Sequence, residues 1–235
     1  MKTRTSKAIG AAAGIAAMAL SVPLAVTAYA QPAEPAEPEP TVEIPNPEGP
    51  GCDAFKEAVP NWEALSKLPV GQALQSIPEA STFHAAISGG LNPAVNVVPV
   101  LENGPYVVFA PTNEAFAALP PAQLDALKAD PAALTDLDYY HVFLGILGPN
   151  DVKGQRPTQQ GAEIKVTGTG GDITVNETAK VVCGGIQADN ARIYLIDQVL
   201  DPANPPAAVT PTTTATSATE TTEPAPIPAA DAPIG

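Results

Sequence analysis

A chain of 235 residues with 25 Asp and Glu against 11 Lys and Arg, formal net charge −14 at pH 7, has no basic face to offer a phosphate backbone. Nucleic acid is therefore excluded as a partner class, and attachment to an anionic lipid surface is disfavoured for the same reason. The chain has two cysteines and two histidines, too few for a metal cage unless they cluster, and they do not cluster in sequence.

Residues 1–30 read as an export signal. Lys2, Arg4 and Lys7 form a positive start, Ile9 to Val26 is an Ala-rich apolar run, and Ala28-Tyr29-Ala30 is a small-residue cleavage site. Cleavage is favoured over a membrane anchor, because Gly10, Gly14, Ser21 and Pro23 interrupt the run. Without a cysteine at the cleavage site for lipid attachment, the expected product is a secreted, extracellular protein with no membrane insertion. Residues 31–50 hold seven prolines and five glutamates and predict an extended, self-repelling spacer. Residues 203–235, rich in Thr, Pro and Ala, predict a disordered tail open to O-glycosylation.

Between these flanks, residues 51–202 have the size of one domain. Helical spacing dominates the first half: Ala54 to Leu68, Val70 to Ile77, Glu79 to Ser88 and Val97 to Leu101, punctuated by Pro60, Pro69, Pro78 and the Asn103-Gly104 turn. Tyr106 to Ala110 is an apolar strand, with Val108 facing inward, or Val107 and Phe109 in the other register. Thr112 is placed to cap the next helix, with Asn113 as an alternative one residue on, and Glu114 opposes the positive helix end. Ala122 to Lys128 follows, and Asp130-Pro131 opens a helix through Leu134, Leu137 and Tyr140. The second half switches to period two: Glu163 to Thr167, a Gly-rich turn at 168–171, Asp172 to Val175, Lys180 to Cys183 and Arg192 to Leu200. Helices first and strands later give an α+β domain with an antiparallel or mixed sheet.

Catalytic material is sparse. Ala110 to Glu114 has neither the Gly-x-Ser-x-Gly of a hydrolase elbow nor the Gly-rich Lys-Ser/Thr of a phosphate loop. The Gly pairs at 170–171 and 184–185 read as turns, and His84 has no acidic partner at i±4. Glu34, Glu37 and Glu39 lie in the spacer, where no rigid cage forms. Asn176-Glu177-Thr178 matches a glycosylation sequon weakly. The expected role of His141, in Tyr139-Tyr140-His141-Val142, is to hydrogen-bond backbone at a helix-to-strand junction. No catalytic residue, cofactor or metal site is expected. Cys52 and Cys183 allow one intramolecular pairing, and an exported chain meets oxidising surroundings.

Three segments together resemble the fasciclin-like domain: YVVFAPTNEAFAAL at 106–119, Tyr140-His141, and IYLIDQVL at 193–200. Within that family, GPGC at 49–52, VFAPTN at 108–113 and VVCGG at 181–185 are similar to its secreted, immunogenic actinobacterial members, which supports a Cys52–Cys183 disulfide. The resemblance implies a β-sheet wedge packed with several short helices and a non-enzymatic role in adhesion, with a protein or glycan partner on a cell surface or in extracellular matrix. It also makes Tyr140 and His141 the partner-binding candidates. Gln198 departs from the Ser or Thr that often follows Ile-Asp, and with no Arg-Gly-Asp tripeptide an integrin partner is not implied. The alternative expectation is a carbohydrate or small-ligand binding protein of the cell envelope.

Overall fold

The computed structural model describes residues 43–209; the signal, most of the Pro/Glu segment and the tail from residue 210 lie outside the described residues. The first half is helical: α1 (Cys52–Ala58), α2 (Val70–Gln75), α3 (Ser81–Ile87) and α4 (Val98–Leu101), with 3₁₀ turns at Trp62–Lys67 and Pro78–Ala80. Pro60 divides the expected helix over 54–68 into α1 and the first 3₁₀ turn, because proline has no N–H for the helical ladder. Strand β1 (Tyr106–Pro111) leads into α5 (Asn113–Ala117), α6 (Pro121–Ala129) and α7 (Pro131–Tyr140). Six further strands follow among the described residues: β2 (Val142–Leu144), β3 (Gly154–Pro157), β4 (Glu163–Thr169), β5 (Asp172–Val175), β6 (Ala179–Gln187) and β7 (Ala191–Ile196).

These strands form one mixed sheet in the order β2-β1-β7-β6-β5-β4-β3, in which β1 runs parallel to β7 and antiparallel to β2. The sheet curls until its ends meet, and the N–H of Gln159, just past β3, donates to the carbonyl of Val142 in β2 at 2.8 Å. A nearly closed sheet has two faces to bury, and the sequence supplies two apolar clusters. One lies under the helices and contains Phe55, Leu74, Phe83, Leu101, Val108 and Ile193. The other fills the curl and contains Phe109, Tyr140, Phe143, Ile164, Val175 and Tyr194.

Strand β1 is buried at every position. Both registers foreseen for it are therefore satisfied at once: Val108 and Ala110 pack under the helices, while Val107 and Phe109 enter the curl. A parallel central strand covered on both sides has no polar face, so alternation cannot be read in it. Gly184 and Gly185 are not a turn, as expected from sequence, but lie inside β6 where its pairing with β7 slips. A Cβ at Gly184 would come within 2.5 Å of the Tyr194 ring, and Gly185 adopts φ +78°. The slip is a bulge that only these residues permit.

Ordered pairing extends past both expected boundaries, 51 and 202. Glu48 exchanges backbone hydrogen bonds with Gly184, and Gly51 N–H donates to the Val182 carbonyl at 2.8 Å. At the other end Gln155 Nε2 donates to the Ala207 carbonyl, and Val209 N–H donates to Glu163 Oε2 at 2.9 Å. Backbone hydrogen bonds need no apolar side chains, and so a Pro- and Ala-rich stretch can still be held. The Cys52–Cys183 disulfide pins α1 to β6 across a sequence separation of 131 residues. Closing so long a loop stabilises the fold by about 5 kcal/mol on chain-entropy grounds.

Candidate functional site

The site is built where α7 ends and β2 begins. Asp130 opens α7 by accepting from the N–H groups of Ala132 and Ala133 at 2.9 and 3.2 Å, and Pro131 follows as the first helical residue. Leu134, Leu137, Asp138 and His141 then fall on one side, at spacings of three and four, and all four are buried.

Tyr140 and His141 are both fully buried. Tyr140 Oη donates to the Glu163 carbonyl at 3.2 Å and accepts from Asn176 Nδ2 at 2.9 Å. His141 Nδ1 lies 2.8 Å from the Leu137 carbonyl, and Leu200 N–H points at Nε2 from 3.0 Å. A carbonyl accepts and an N–H donates, so the pattern assigns the neutral ring with its proton on Nδ1. Burial pushes the His141 pKa down to about 4, against which the Leu137 carbonyl acts in the raising direction. A second proton would sit on Nε2, facing the Leu200 N–H, and would break that bond. The His141 carbonyl accepts from Phe109 N–H at 2.9 Å, and the ring packs against Phe83. One residue thus joins α7, β1, α3 and the segment after β7.

Asp138, one turn earlier, has no such company. It is fully buried, neither carboxyl oxygen has a hydrogen-bond partner among the described residues, and burial raises its pKa to about 8. Burial without a partner therefore favours the neutral carboxyl at pH 7. The inward spacing Leu134-Leu137-Asp138-His141 is a sequence signal that marks it.

Outside this corner lies a groove of about 320 Å³ between α6, α7 and residues 199–203. Leu119, Leu127, Leu137, Val199 and Leu200 supply its apolar surface, and Asp136 and Asp201 stand at its rim. The two backbone groups held by His141 belong to Leu137 and Leu200, so the imidazole ties opposite walls of the groove together from beneath.

Other residues marked in the sequence are structural. Thr112 Oγ1 accepts from Ala115 N–H at 3.2 Å as the cap of α5. Asn113 is not a second cap: its Oδ1 accepts from Thr82 N–H and Thr82 Oγ1 at 2.9 and 2.8 Å, and its Nδ2 donates to the Pro78 carbonyl. It straps α5 to the start of α3. Asn176 holds positive φ at the β5–β6 turn and spends its amide on Tyr140, so the sequon is occupied by folding. His84 is half-buried on α3, with its pKa lowered by burial. Asn190, unmarked in the sequence, accepts from Val70 N–H and donates to the carbonyls of Leu101 and Gly104, joining three segments. Among the described residues no group of three His, Cys, Asp or Glu is arranged to hold a metal ion, and no helix is long and apolar enough to cross a membrane.

A nearly closed mixed sheet capped by short helices and locked by a buried Tyr-His pair defines a fasciclin-type domain. Residues 78–202 match the Fasciclin domain family model, and the chain belongs to that family. It is 46% identical over 158 residues to the immunogenic protein MPB70 of Mycobacterium bovis, covering 66% of this chain and 81% of that one. It is 43% identical over 157 residues to the cell surface glycolipoprotein MPB83 of the same species, 67% of each chain. The rabbit transforming growth factor-beta-induced protein ig-h3 is 40% identical over 106 residues, 44% of this chain but 15% of that one. A solved FAS1 domain pair from the insect cell adhesion molecule fasciclin I aligns with TM-score 0.45 at 16% identity, over 57% of this chain and 51% of that one.

Proposed function

We propose that this is a secreted, non-enzymatic protein that binds partners on a host or cell surface or in extracellular matrix. The observation that carries the reading is the similarity, across most of their length, to mycobacterial proteins named for immunogenicity and for surface location. The export signal in residues 1–30 agrees with it. In this reading Tyr140 and His141 act as positioning residues, because a side chain with no exposed surface touches no partner. They hold the frame on which the binding surface stands. The mature chain, with and without residues 210–235, is tested by pull-down from envelope and matrix extracts and by surface binding to purified matrix proteins. Saturable capture supports the reading, and binding no stronger than to a scrambled-surface control protein rejects it.

A further inference from the structure

We propose that the groove between α6, α7 and residues 199–203 docks a short peptide segment in which an apolar side chain sits beside a lysine or arginine. This names the partner chemistry of the interaction reading and rests on it.

Size, lining and charge each narrow the occupant. A volume of about 320 Å³ lies at the lower end of small-ligand sites, enough for one or two side chains rather than a cofactor. The apolar surface is aliphatic, from Leu119, Leu127, Leu137, Val199 and Leu200, and no lining residue is aromatic. A sugar ring would find no face to stack on, which weighs against a carbohydrate. Every ionisable side chain lining the groove is acidic, namely Asp136 and Asp201. Asp201 already accepts from Ala203 N–H and Asn204 Nδ2, so it is fixed in place rather than swinging in solvent. Asp136 is exposed on α7. The Gln123 amide from α6 complements the N–H and C=O of an extended peptide, and Gln160, in the turn before β4 with its Oε1 accepting from Ala162 N–H, presents its Nε2 as a donor. A cationic head on an aliphatic stem, next to a second aliphatic side chain, meets both requirements at once.

The walls are also preformed. His141 fixes Leu200 to Leu137 from the buried side, and thus the entropy of shaping the groove is spent in folding and not in binding.

The test uses the ¹⁵N-labelled mature chain and an acetylated, amidated pentapeptide, Leu-Lys-Leu-Lys-Leu, with two controls carrying Glu for Lys or Ser for Leu. The expected result is saturable shifts confined to amides around residues 119–137 and 199–203, absent with either control. Asp136→Lys weakens the titration at least tenfold and Asp136→Asn weakens it less, both with an unchanged melting temperature. Shifts elsewhere, equal binding of the Glu peptide, or insensitivity to both substitutions overturns the proposal. The same Asp136→Lys chain is carried through the pull-down. Capture by the parent chain that survives this substitution rejects the groove but leaves the interaction reading standing. No capture by either chain rejects the interaction reading, and the groove is then judged by the peptide titration alone.

Discussion

The chain turns from strand to helix at Pro111–Asn113 and from helix to strand at Tyr140–Val142, and the two turns lie on paired strands, with Val108 opposite Val142. Thr112 and His141, at their centres, are both buried, yet the turns are held in different ways. At the first, the buried Thr112 caps its own helix through a partner three residues ahead, and the longer tie, from Asn113 to Thr82 and Pro78, runs through a side chain that is only half-buried. At the second, His141 takes a partner 59 residues ahead, in the segment after β7. A local cap stabilises one element, whereas a distant bond decides how elements sit against each other. The second turn also carries an unsatisfied carboxyl, Asp138, which the first has no counterpart for.

The contrast is broken most severely by His141→Ala. It leaves the Leu200 N–H and the Leu137 carbonyl without partners and opens a cavity, a loss of about 3–5 kcal/mol in urea unfolding. The Leu200 amide should exchange faster with solvent in the same variant. A loss under about 1 kcal/mol would mean that the ring is a passenger.

Asp138→Leu tests the opposite sign. The folded pKa of about 8 lies above the ordinary 3.8, so the native state keeps a proton that the unfolded chain releases, and stability falls as pH rises through that window. His141 works the other way: its folded pKa of about 4 lies below 6.5, and stability falls as pH drops from 6.5 toward 4. The two oppose each other at pH 4–6.5, and above 6.5 the carboxyl acts alone. The stability advantage of Asp138→Leu over the parent should therefore grow by about 3 kcal/mol between pH 5 and pH 7.5, at about 1.4 kcal/mol per unit. A pH-independent difference sinks the assignment of a buried neutral carboxyl.

At the first turn the effects are smaller. Asn113→Ala removes the strap to α3 and is expected to cost about 2 kcal/mol, because the Thr82 N–H and the Pro78 carbonyl lose a partner. Thr112→Ala removes only the cap, about 1 kcal/mol, and Thr112→Ser restores most of it. If Thr112→Ala proved costlier than His141→Ala in the same denaturation series, the distinction between local and distant anchoring would fail.

The same distinction explains what could be read in the sequence. Asp130-Pro131, Thr112 and the Gly-rich hairpin at 168–171 announce themselves, because each acts on backbone within a few residues. The α+β class and the three family segments are legible for the same local reason. The parallel pairing of β1 with β7 and the closure of Gln159 on Val142 join residues far apart, and no short pattern encodes them. The groove is unreadable too, since its walls come from 119–137, Gln160 and 199–203, distant segments that His141 helps to tie together. Asp138 was within reach, being an acid in an apolar stripe. The sequon at Asn176 carried little weight in the sequence, and a three-residue pattern does not show that the amide is engaged with Tyr140.

The place of β7 has a consequence for how the molecule is made. It is the last strand among the described residues, yet it lies between β1 and β6, near the middle of the sheet. Until it arrives the sheet exists only as two separate ribbons, β2-β1 and β6-β5-β4-β3, each with an open inner edge. Their union closes a loop of some eighty residues between β1 and β7, a step that non-local topology makes slow. The protein therefore commits to its fold late, when nearly all of the domain has emerged, and a chain stopped short of residue 191 is left with two half-sheets that touch at their outer edges, through Gln159 and Val142, with an open gap where β7 belongs.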